Sequence, residues 1–209
     1  MPTKAAIHWR AQLWREVKRK SIHLLGLSVP TSIFLLGREI TIGLIGLALV
    51  ISIFLEWGRL QGKITLPSVR DHERSRVAGY IYYIVGAFLT VLLFSPMIAV
   101  TAMLMLSIGD AASGIMGSIV CGSNVRSGLV EKGTWRPKPQ EVVVGTFIIC
   151  LLVGYAASGI TKLVFPVYLI GAVSATIADA IPFSFRQRVV DDNFTIPILS
   201  GSMMTLATL

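Results

Sequence analysis

The chain is predicted to be all-α, a polytopic membrane helix bundle of about seven transmembrane helices with its N terminus on the cytoplasmic side. Three observations predict this. Of 209 residues, 54% are hydrophobic and 14% charged, and the mean hydropathy is +0.72. A soluble domain carries about 25% charged residues to coat its surface. The apolar residues gather into seven runs close to the roughly 17–25 residues that cross a bilayer. The basic residues lie between those runs and almost entirely in alternate connections. The same composition excludes a disordered chain and a collagen repeat. Cys121 and Cys150 make neither a disulfide framework nor a metal spacing.

Residues 1–20 read as a basic amphipathic interfacial segment. Trp9, Leu13 and Trp14 are placed to face lipid while Arg10, Arg15, Lys18 and Arg19 meet headgroups. No signal peptide is expected, because this stretch has no apolar core or cleavage site. Residues 21–209 form a single transmembrane domain, with runs at 21–37, 40–57, 77–94, 97–120, 141–160, 163–182 and 193–209. The connections at Arg38-Glu39, Ser95-Pro96 and Thr161-Lys162 are short; the others are longer and polar. The last run is the weakest, being short and ending with the chain.

Orientation follows from charge. Seventeen of the 19 Lys and Arg fall in segments 1–20, 58–76, 121–140 and 183–192, and only Arg38 and Lys162 fall opposite. The positive-inside rule places the N terminus and the long loops in the cytoplasm. A net charge of +8 would suggest nucleic acid in a soluble protein. Here the clustering between apolar runs assigns it to the membrane surface, and no nucleic-acid partner is expected.

Acids inside spanning helices are costly and usually face a cavity or a partner. Asp110 lies within Gly109-Asp110-Ala111-Ala112-Ser113-Gly114, past the midplane of its run. The small residues alone fit a tight helix contact, but the carboxylate asks for more. Asp179 precedes Pro182 near the end of the sixth run. Asp191 and Asp192 open the seventh, where capping is the simplest reading, and Glu141 opens the fifth. All map to the cytoplasmic half, level with Arg19, Lys20, Arg70, Lys132 and Lys138. Carboxylates beside Lys and Arg suit a Mg²⁺-nucleotide. A transporter would place its ionisable groups near the midplane and show inverted repeats. No P-loop, kinase-type glycine loop or serine elbow is present. His8, His23 and His72 are too scattered for zinc, and His23 is the best placed of them for function.

Six short motifs resemble those of the polyprenol kinase family, which includes dolichol, phytol and CTP-dependent diacylglycerol kinases. They are Glu16-Val17-Lys18-Arg19-Lys20-Ser21-Ile22-His23, Glu56-Trp57-Gly58-Arg59, Arg70-Asp71-His72-Glu73, Gly109-Asp110-Ala111-Ala112, Lys138-Pro139-Gln140-Glu141 and Asp191-Asp192-Asn193-Phe194-Thr195-Ile196-Pro197. They run in family order over nearly the whole chain. The family's Lys-Ser-x-Glu-Gly is here Lys138-Pro139-Gln140-Glu141-Val142, without the hydroxyl and the glycine. A fainter resemblance extends to CDP-diacylglycerol synthases.

The resemblance implies a catalytic membrane domain that phosphorylates a long-chain lipid alcohol from CTP with Mg²⁺ at the cytoplasmic face. It implies catalytic roles for Asp110, His23 and Glu141, and metal ligation by Asp110 with Asp191, Asp192 or Asp179. Arg19, Lys20, Arg70, Lys132, Lys138 and Asn193 are then expected to contact the nucleotide. The alternatives are a cytidylyltransferase that makes a CDP-lipid from a lipid phosphate, and a small membrane transporter.

Overall fold

A computed structural model describes residues 25–65, 76–121, 137–181, 183–185 and 188–209. Within them every element but one is helical. A 3₁₀ turn at Leu25–Leu27 leads into α1 (Ser28–Leu36), and Gly37, at φ 83°, turns the chain directly into α2 (Arg38–Leu60). Then come α3 (Gly79–Leu93), α4 (Pro96–Leu104), a π-helical turn at Met105–Asp110, and α5 (Ala111–Cys121), the last three forming one continuous rod. The chain ends with α6 (Gln140–Thr161), α7 (Phe165–Ala180) and α8 (Asp192–Leu206). The exception is a minimal antiparallel pairing of β1 (Ser184–Phe185) with β2 (Arg188–Val189), in what reads from sequence as a plain polar loop.

The helices coincide with the apolar runs because apolar length, bounded by Pro, Gly and charge, sets where a helix is useful. Pro96 opens α4 within its first turn, where a missing N–H costs nothing. Lys162 ends α6 in the left-handed conformation at φ 58°, and its ammonium donates to the Gly159 carbonyl at 2.7 Å. Arg38 donates to the Val91 and Leu92 carbonyls at 3.0 and 2.7 Å, closing the C terminus of α3. Arg38 and Lys162, the two basic residues outside the charged loops, thus both satisfy orphan carbonyls at helix ends.

Three helical stretches, Arg38–Leu60, Pro96–Val120 and Gln140–Thr161, are long and apolar enough to cross a membrane, and Gly79–Leu93 and Phe165–Ala180 are shorter apolar helices. The α4–α5 rod is the centre, with 72% of its most apolar window buried, against 22% for α2. Met103, Met105, Leu106, Val91, Ile196 and Met204 pack the interior. Leu47, Val50, Ile51, Ile53 and Phe54 instead face outward from α2. An exposed apolar face of this extent marks a surface that water does not solvate.

Small residues set the helix directions. Gly86 on α3 lies against the Asn193 carbonyl and Phe194, and Phe94 lies against Gly201, so α3 and α8 run parallel. Gly171 on α7 meets Met204, and Asp179 approaches Asp192, so α7 and α8 are antiparallel. α6 opposes both α7, where Gly154 meets Tyr168, and the rod, where Gly145 meets Met116. The start of α3, α6 and α8 and the end of α2 and α7 therefore share one end of the bundle. α8, the run weakest in sequence, is wedged between α7, α3 and α4 and closes the bundle.

Candidate metal centre

Asp110, Asp179 and Asp192 meet at that shared end. Each offers a carboxylate oxygen, and these oxygens all lie within 4.8 Å of one another. All three residues are buried. They arrive from three elements: the last residue of the π turn, the penultimate residue of α7 and the first residue of α8. The π turn matters because widening the helix by one residue re-aims the side chains beyond it, and such turns recur at functional sites.

Asp179 is held in a network of its own. Lys138 Nζ lies 2.7 Å from Asp179 Oδ1, and Ser113 Oγ donates to Asp179 Oδ2 at 2.6 Å. Lys138 also donates to Ser113 Oγ at 2.8 Å, closing a three-membered network. Ser113, three residues after Asp110, lies on the same helical face. Lys138 N–H bonds to the Ala180 carbonyl at 3.2 Å, so the strand of chain before α6 is pinned to the end of α7. Three carboxylates thus lie within 4.8 Å of one another, with Lys138 paired to one of them. Hard oxygen donors at this spacing fit a divalent cation such as Mg²⁺, which takes one or two carboxylates and completes its shell with water or phosphate.

The structure separates the adjacent acids of the last motif. Asp191 caps α8, accepting from Asn193 N–H at 3.0 Å and Asn193 Nδ2 at 2.6 Å, whereas Asp192 turns inward to the other two acids. Asn193 is buried, and with its nitrogen turned to Asp191 it leaves Oδ1, an acceptor, without a partner. Pro197 adds to this: it has no N–H for the Asn193 carbonyl four residues back. A Cβ on Gly86 would fall 2.8 Å from that carbonyl oxygen, so only glycine lets α3 approach here.

Among the sequence candidates, Asp110, Asp179 and Asp192 come together, with Lys138 beside them. Asp191 is outside the group as helix cap. Glu141 stands exposed in the first turn of α6 and is also outside it. Arg19, Lys20, His23, Arg70 and Lys132 lie outside the described residues. Ser113 was missed by sequence reading; its signal was the three-residue spacing from Asp110.

A second buried acid lies at the same end. Glu56 accepts from Arg59 through both oxygens at 2.7 Å, from Ala78 N–H at 2.8 Å and from Tyr80 Oη at 2.8 Å. Arg59 also donates to the Arg76 carbonyl at 2.6 Å. This group ties the end of α2 to the start of α3 across residues 61–77. No family model, no curated protein and no solved structure matches the chain.

Proposed function

We propose that the protein is a membrane-embedded kinase that transfers a phosphoryl group from a Mg²⁺-nucleotide, CTP by the motif resemblance, to the hydroxyl of a long-chain lipid. In this reading seven helices span the membrane, with the N terminus and the carboxylate end cytoplasmic, as the basic loops suggest. The observation that carries it is the convergence of the Asp110, Asp179 and Asp192 carboxylates from three elements to within 4.8 Å.

Asp110 and Asp192 would hold the cation, and Asp179 would be positioned by Lys138 and Ser113. A bound Mg²⁺ would supply charge neutralisation at the phosphates. Lys138 donates to Asp179 and Ser113, and its remaining N–H is proposed to reach a phosphate oxygen. Arg19, Lys20, Arg70 and Lys132 are proposed as further triphosphate contacts, and His23 or Glu141 as proton acceptors. The lipid hydroxyl oxygen bonds to the γ-phosphorus as the bond to the β–γ bridging oxygen breaks. The products are lipid phosphate and CDP, and the hydroxyl proton leaves to a basic side chain or water. A loose transition state of this kind demands positioning more than deprotonation. Buried, water-poor surroundings favour transfer to lipid over hydrolysis.

The test is to incubate purified protein with Mg²⁺, CTP or ATP and a panel of lipid alcohols and lipid phosphates, and to identify the products by mass spectrometry. CDP with lipid phosphate is expected. CDP-lipid with pyrophosphate would replace the kinase by a cytidylyltransferase. Nucleotide left intact under every condition, with ion or substrate flux in liposomes, would favour a transporter.

A further inference from the structure

Most buried hydroxyls on these helices are satisfied within their own helix. Thr41, Thr90, Thr101, Thr146, Thr176 and Ser200 each donate to the carbonyl four residues back, the usual outlet for a hydroxyl inside a helix. Two serines of the central rod depart from this pattern. Ser113 Oγ crosses to α7 and donates to Asp179 Oδ2 at 2.6 Å. Ser107 crosses to α3, where it hydrogen-bonds with the Tyr83 hydroxyl. One serine stands three residues before Asp110 and the other three residues after it. The acid is thus bracketed by side chains that tie the rod to its neighbours.

The Tyr83–Ser107 pair has a seat. Gly26, buried on the 3₁₀ turn before α1, lies against both hydroxyls, and a Cβ there would collide with each oxygen. A residue without a side chain is what leaves the two hydroxyls room to meet. Ser107 is fully buried and lies inside the π turn at Met105–Asp110. Such turns are rare and occur mostly as single turns inside α-helices. Relaxation to regular α geometry would rotate the rod on one side of the turn by one residue, about 100°. Asp110, the last residue of the turn, would then leave the face that meets Asp179 and Asp192. Packing alone is non-directional, whereas a hydrogen bond fixes both a distance and an angle, which is what holding a helix in an unusual winding requires.

We propose that the Tyr83–Ser107 hydrogen bond, seated on Gly26, holds the π turn and thereby positions Asp110 against Asp179 and Asp192. Tyr83 and Ser107 are positioning residues in this scheme: they touch neither cation nor substrate and act through Asp110. The role rests on reading the three carboxylates as a divalent-cation site, and on nothing about nucleotide, lipid or reaction.

The experiment uses the full chain in nanodiscs, without nucleotide, and Mg²⁺ alone as the probe, with binding measured by calorimetry. Tyr83→Phe and Ser107→Ala are each expected to weaken Mg²⁺ binding about tenfold, the lower end of what a metal site loses with a support of its ligands. The double variant should bind no more weakly than either single variant, because the same bond is missing in each. Gly26→Ala, which wedges the hydroxyls apart, should behave like them. Thr101→Val is the control for a merely structural role. It deletes a buried hydroxyl of the same rod that is satisfied locally, and it should leave Mg²⁺ affinity unmoved. Unchanged affinity in Tyr83→Phe and Ser107→Ala would overturn the proposal and leave the carboxylate site standing, and equal weakening by Thr101→Val would do the same. A second measurement serves if the wild type itself binds no Mg²⁺: Asp110→Asn is made in the wild-type and Tyr83→Phe backgrounds and unfolding is compared in metal-free protein. A different effect of Asp110→Asn in the two backgrounds would uphold the positioning role and sink the cation reading alone. Equal effects would sink both.

Discussion

Glu56 and Asp110 are both buried acids of apolar helices, at the same end of the bundle, and their surroundings are opposite. Glu56 meets a bidentate guanidinium, a backbone N–H and a tyrosine hydroxyl, so each oxygen has two donors and the charge is cancelled on the spot. Asp110 stands within 4.8 Å of two further carboxylates, one of which is paired with Lys138. Burial of a charge is tolerated in the first case because it is paired and fully hydrogen-bonded. In the second, like charges are brought close together, a cost that a bound cation would offset. A buried acid is thus read from what its carboxylate meets, donors in one case and other carboxylates in the other, rather than from its burial alone.

The sharpest way to break this comparison is to remove the Lys138 cation from the carboxylate group. Lys138→Met leaves Asp179 buried beside two like charges. It is expected to destabilise the protein by about 3–5 kcal/mol, the usual consequence of stranding one partner of a buried pair. The double variant Lys138→Met/Asp179→Asn should recover most of that loss, measured by thermal or denaturant unfolding in detergent. Failure of the double variant to recover would mean that Lys138 packs rather than neutralises.

Asp110→Asn is next. If the protein is the proposed kinase, the substitution should reduce phosphoryl transfer by about a hundred- to a thousand-fold, as expected when one electrostatic stabiliser is removed. In metal-free protein the same variant should be more stable than the wild type, because like-charge repulsion is relieved. Mg²⁺ at about 100 times its Kd should stabilise the wild type by about 2.7 kcal/mol and leave the variant unmoved. An equal Mg²⁺ response in both proteins would dismiss the carboxylates as a metal site.

Glu56→Gln is the smallest and the control. Losing the charge while keeping the shape should cost about 1–3 kcal/mol of stability, with the Mg²⁺-induced shift of the unfolding midpoint intact. A lost Mg²⁺ response there would join the two acids into one site and erase the contrast drawn above.

Several features of the site were legible before the fold. The spacing of Glu56 and Arg59 places them on one helical face, and so does that of Asp110 and Ser113. Asp191 and Asp192 were ambiguous, since either of two adjacent acids can cap a helix; α8 docking between α3 and α7 sends one to the backbone and the other inward. Tyr83 and Ser107 carry no signal in sequence. Tyr83 sits in an aromatic-rich run that reads as membrane filling, and nothing in Met105-Leu106-Ser107-Ile108-Gly109-Asp110 announces a π turn. Cys150, read as packing, fills the notch left by the missing side chain of Gly109, and such a notch exists only once α6 lies on the rod.

Sequence by itself determined the helices, their lengths and the segregation of basic charge into alternate loops. Those properties follow from local hydropathy and from where Gly, Pro and charge interrupt it. Only the tertiary structure decided which acids converge, which one Lys138 neutralises and which side chains, such as Tyr83 and Ser107, meet across the bundle. Those outcomes depend on how helix faces distant in the chain are brought together, and small residues such as Gly86, Gly109 and Gly171 set that docking by what they lack.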